Sequence, residues 1–125
     1  MTFFQKALQW LIGSLVSLPL TMATNVEGAS FYWSKFPVKT QSEKTCMQFA
    51  ADVARQHGLQ NIRRIPIEVA GTKGNAYVAM TCVARGSGQS ALGMVMVIDE
   101  SAGAATAVRD ELATAFQRIG CIDNC

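Results

Sequence analysis

The chain has 125 residues, 50% of them hydrophobic by type, with 11 Lys and Arg against 9 Asp and Glu and a formal charge of +2. A balance this near neutral excludes the basic footprint of a nucleic-acid-binding surface or of a domain held on anionic lipid. The length allows one small domain, and the even number of cysteines, 4, raises the question of cross-links.

Residues 1–23, MTFFQKALQWLIGSLVSLPLTMA, carry one charge, Lys6, then an apolar run from Ala7 to Leu20 and a small, polar end. This is the layout of a secretory signal peptide, with cleavage expected after Ala23 and Gly28 as the second choice. The run is shorter than the roughly 20 residues that span a bilayer as a helix, so no stable membrane anchor is expected after cleavage. The remaining chain of about 100 residues has one core and little stability to spare, so cross-links would matter. Export implies a periplasmic or secreted protein in an oxidising compartment.

Residues 24–39 contain SFYWSKFPV, an extended aromatic segment with Phe31, Tyr32, Trp33 and Phe36. Residues 40–125 read as a single α+β domain. Thr40 and Glu43 in TQSE have capping-box spacing, and Cys46, Phe49, Ala50, Val53 and Ala54 recur on one stripe, predicting a helix over 41–57. Gly58 supplies its left-handed end, and Leu59 folds back on the last turn.

Three strand-like runs follow, RIPIEVA, NAYVAMTCVA and ALGMVMVID, separated by GTKG and RGSGQS, which predicts consecutive antiparallel hairpins. Pro66 cannot donate to a ladder and places the first run at an edge. The last segment sets Ala105, Val108, Leu112, Ala115, Phe116 and Ile119 on one stripe, a second helix with Ser101 as N-cap, Arg118 in the last turn and Gly120 at its end.

The order α-β-β-β-α packs as a two-layer sandwich, an antiparallel sheet of three or four strands with both helices on one face. In the second run Val78, Met80 and Cys82 alternate with Tyr77, Ala79, Thr81 and Val83; in the third, Leu92, Met94, Met96 and Ile98 alternate with Gly93, Val95 and Val97. Both faces of these strands are largely apolar, and two helices cover only one. The second face needs a cover, either the aromatic segment or a second copy of the chain.

Four cysteines allow three pairings. Cys46, on the apolar stripe of the first helix, and Cys82, on the strand face assigned to the helices, can meet across the interface between layers. That pairing leaves Cys121 and Cys125 to close a small ring around Asp123 and Asn124, a turn-prone pair. Zinc is the alternative for Cys121, Asp123 and Cys125, but no second pair of ligands completes four, so neither a metal nor a cofactor is expected. The thioethers of Met80, Met94 and Met96 offer a Cu(I) site as the alternative to a stripe of flexible core fillers. His57, the one histidine, falls at a helix C-terminus and reads as a cap. GSGQS precedes a strand, so it is a hairpin turn and cradles no phosphate. No nucleophile, base or carboxylate pair has catalytic spacing, and no enzyme is expected.

The cysteine-bearing helix ending in GL, the strand after NIR, AYVAMTCV, ALGMVMVID and the final helix together resemble a recurrent type of small exported bacterial α+β domain. The likeness spans 44–119 and implies a disulfide between Cys46 and Cys82; no activity is attached to the type. The resulting expectation is an exported, disulfide-held module that binds or inhibits a periplasmic protein, or itself as a homodimer, through Trp33 or the tail residues Asp123 and Asn124. The alternative is a small-ligand or Cu(I) carrier.

Overall fold

The computed structural model describes residues 29–120. In chain order these form β1 (Ser30–Pro37), α1 (Glu43–Gln56), β2 (Gln60–Ile65), β3 (Glu68–Lys73), β4 (Ala76–Val83), β5 (Leu92–Asp99) and α2 (Ala102–Arg118). The sheet has five strands in the order β1-β5-β4-β3-β2, and every neighbouring pair is antiparallel. The two helices lie beside each other on one face, α2 over β1 and β5, and α1 over β3 and β4.

The α+β class, the antiparallel sheet and both helices agree with the sequence reading, and the strand count does not. RIPIEVA is two strands rather than one: Pro66 and Ile67 form a tight turn and break the run, because the proline ring fixes φ and removes a donor. Its first half, β2, is the edge that the proline predicts. Of GTKG only the last residue turns the chain: Gly71, Thr72 and Lys73 pair with Val78, Tyr77 and Ala76, and the reversal into β4 comes at Gly74 with φ +60°. β2 is bulged between Gln60 and Arg63, where Asn61 takes φ +53°.

The aromatic segment, expected as an extended piece outside the domain or laid across the second face, is instead the other edge strand. Its register against β5 runs from Ser30 opposite Asp99 to Pro37 opposite Leu92. The physical reason is its alternation: Tyr32 and Phe36 turn toward the helices while Phe31, Trp33 and Lys35 turn away. With aromatics on both sides, the period of two is hard to see in the sequence.

Both helices carry local signals that match their ends. Ser42, rather than Thr40, is the N-cap of α1, its Oγ accepting from the Thr45 amide at 3.1 Å, and Thr40 Oγ1 accepts from the Ser42 amide at 3.1 Å. At the C-terminus the Leu59 amide donates to Ala54 O and the Gly58 amide to Arg55 O, with Gly58 at φ +74°, so Leu59 folds back as predicted. Ser101 caps α2 through the Ala104 amide.

The core lies between the helices and one sheet face. Ala50, Val53, Leu112 and Phe116 from the helices meet Val69, Val78, Met80, Val95 and Val97 from the strands, all buried. Phe36 and Phe116 stack edge to face at 5.3 Å. Gly93 sits under this pair: a Cβ there would lie 2.7 Å from Val38 Cγ2 and 2.9 Å from Phe36 Cε1. Cys46 and Cys82 are bonded across the two layers and are both buried. Just past α2, Gly120 makes a parallel bridge with Lys39.

Candidate functional site

Each strand sends alternate side chains away from the helices, and the paired registers assemble them into rows. Phe31, Ile98, Tyr77 and Thr72 form one row across the sheet; Trp33, Met96, Ala79, Ala70 and Arg63 the next; Lys35, Met94, Thr81, Glu68 and Ile65 a third; Pro37, Leu92 and Val83 the last. No described residue covers this surface. Trp33 is 49% exposed, Tyr77 51%, Phe31 56% and Ile98 44%, so large apolar side chains meet water on strands that could have carried polar ones.

Charge is confined to the margin. β4 and β5 contribute no ionisable group apart from Tyr77 to this face; Lys35 lies on the edge strand β1, Arg63 on the edge strand β2, and Glu68 at the first position of β3, next to β2. The hydroxyls are already engaged. Tyr77 Oη accepts from Arg63 Nη2 at 2.8 Å, with the guanidinium 5.9 Å from the ring centroid, Thr81 Oγ1 donates to Ile67 O, and Thr72 Oγ1 donates to Gln60 O at 3.4 Å. A surface whose polar atoms are satisfied from within offers water little, and its contact with another apolar surface costs no stranded donor.

The residues singled out from sequence distribute unevenly over this geometry. Trp33 lies in the open face. Met94 and Met96 lie there also, but Met80 is fully buried on the opposite side of the sheet, against the helices. The three methionines therefore form no group, and the stripe Leu92, Met94, Met96, Ile98 is the outward one, not the buried one. The error has a plain cause: Gly93, Val95, Val97 and Asp99 are smaller on average, yet two helices pressed close to the sheet leave room for small residues and not for large ones. Cys121, Cys125, Asp123 and Asn124 lie outside the described residues. The described residues hold no cluster of three or more His, Cys, Asp or Glu side chains able to bind a metal, and no helix long and apolar enough to cross a membrane.

His57 is tied to the far side of the molecule. Its Nδ1 donates to Glu111 Oε2 at 2.8 Å, Lys73 Nζ stands 3.4 Å from the same oxygen, and Lys73 Nζ donates to His57 O at 2.6 Å. The hydrogen bond from His57, assisted by Lys73, lowers the Glu111 pKa against the opposing effect of burial. This cluster clips the end of α1 to α2 and β3, a structural role near to the cap expected of the histidine.

Sequence reasoning missed Arg63. Adjacent strand residues point to opposite faces: Arg63 covers Tyr77, while Arg64 lines a cavity with Glu43, Lys44 and Met47 of α1. The alternation rule, applied to NIRRI, was the available signal. No family model, curated protein or solved structure matches this chain. The class that the fold itself defines is a disulfide-linked, two-layer α+β domain with a five-stranded antiparallel sheet.

Proposed function

We propose that this chain is an exported protein-binding module whose working surface is the open face of its sheet. The observation that carries the reading is the composition of that face: aromatic and thioether side chains at the centre, charges only at the margin, and hydroxyls bonded internally. Protein interfaces have this anatomy, with Tyr, Trp, Phe, Met and Arg enriched and charge displaced to a rim. An apolar surface spanning five strands exceeds the scattered exposure normal for a monomer and marks an interaction site.

The compartment supports the same reading. A disulfide between α1 and β4 fits an oxidising environment, and residues 1–23 have the layout of an export signal. By closing 36 residues of sequence the bond stabilises a small core by about 3–4 kcal/mol in the chain-entropy account. It thereby ties α1 to a sheet that has helices on one side only.

The test is photo-crosslinking in cells that export the protein, with a crosslinking side chain placed at Ala79 in the middle of the face, and at the exposed Ala107 on α2 as control. The reading expects a protein adduct from position 79 and none from position 107. Adducts equally frequent from both positions, or none from position 79, would sink it.

A further inference from the structure

We infer that the occupant of the open face is a second copy of this chain, packed face to face about a twofold axis running along β4. This rests on the proposal that the face is a protein-binding surface, and it names the partner.

The first argument is size. Five strands about 4.8 Å apart, three of eight residues and two of six at about 3.3 Å per residue, make a face of about 570 Å². Two such faces together bury about 1,100 Å², above the roughly 1,000 Å² that a specific interface has to clear. The whole surface has to be engaged to reach that value, and face-to-face packing of one sheet on another is the arrangement that engages it.

The second argument is complementarity with itself. β4 is the middle strand, so a twofold axis along it keeps each row at its own level and exchanges the flanking strands: β1 meets the partner's β2, and β5 meets the partner's β3. The three charges of the face all find a counterpart in this arrangement. Lys35 on β1 comes opposite the strand next to the partner's Glu68, within reach of its long side chain, and Trp33 comes opposite the partner's Arg63, whose guanidinium already stands 5.9 Å from an aromatic ring centroid. Met96 on β5 comes opposite the partner's Ala70, a recessed position 3% exposed, so a bulky residue faces a small one. Ala79 lies on the axis and faces its own copy.

Within one chain Lys35 and Glu68 are three strands apart, about 14 Å, so neither answers the other intramolecularly. This makes charge exchange a clean test. The exported protein is followed by light scattering and sedimentation over a concentration series, alone and as Lys35→Glu, Glu68→Lys and the equimolar mixture of the two variants. The expected result is a concentration-dependent dimer for the unaltered protein, at least a tenfold weaker dimer for each variant alone, and recovery in the mixture, where every contact again joins opposite charges. Circular dichroism of each variant keeps loss of folding separate from loss of association.

A protein that stays monomeric at the highest concentration, or a mixture that recovers nothing, overturns the inference. The two proposals then separate through the crosslinking at Ala79. An adduct of another mass leaves the binding face standing with a different partner, whereas absence of any adduct removes both.

Discussion

The two faces of the sheet are made from the same strands and obey opposite rules. Toward the helices, β5 offers Gly93, Val95 and Val97, and β4 offers Val78, Met80 and Cys82; all are buried, and packing on this side is close enough that Gly93 admits no Cβ without displacing Val38 and Phe36. Away from the helices, the same strands offer Leu92, Met94, Met96, Ile98 and Tyr77, which are larger and half-exposed to exposed. Size therefore does not mark the inside of this protein. Closeness of packing does, and the larger side chains stand where the domain leaves space for another surface.

The comparison can be broken first where it is strongest. Phe116→Ala removes the ring that α2 sets against Phe36 and should cost about 3–5 kcal/mol in urea unfolding; a loss below 1 kcal/mol would mean that the helix side is not the rigid one. Replacing Cys46 and Cys82 together by Ala should cost about 3–4 kcal/mol, read as a lower midpoint that the unaltered protein reproduces once reduced. Gly93→Ala sharpens the comparison at a single atom, with an expected loss of about 1–3 kcal/mol from overpacking.

On the open face Ile98→Thr should change the stability of dilute protein by less than about 1 kcal/mol, since the side chain is already 44% exposed. A large loss there would show that the surface is covered from within the chain. The smallest effect belongs to Glu111. Its folded-state pKa is depressed by the His57 hydrogen bond, so the carboxylate contributes stability above its ordinary pKa of 4.5, and the contribution disappears as pH falls through the lower folded-state value. Glu111→Gln should thus be less stable than the parent at neutral pH by under about 1 kcal/mol, and equal to it in acid; a deficit that persists in acid would assign the loss to packing.

Much of the domain was legible before its structure. Caps and helical periodicity located α1 and α2, because such signals are local, and Cys46 with Cys82 was readable once a helix stripe and a strand face were in hand. Pro66 pointed to the edge even though the strand had to be split at that residue. Strand partners were another matter. Nothing local in SFYWSKFP says that it pairs with residues 55 to 69 positions later, and nothing in ALGMVMVID says which of two apolar sides is inward. That choice is made by how closely the helices sit, a tertiary property, and the Met80, Met94 and Met96 grouping failed for this reason.

The edges of the sheet have a consequence for how such a molecule can assemble. β2 is bulged at Asn61 and carries two arginines, and β1 carries Lys35 and ends in Pro37. Bulges, cations and proline all discourage the addition of another strand. Lateral growth is therefore discouraged on both flanks, while no described residue covers the face. In the proposed face-to-face pairing the contact would be used up when two copies meet, so association would stop at a closed pair and would not run on into a fibre.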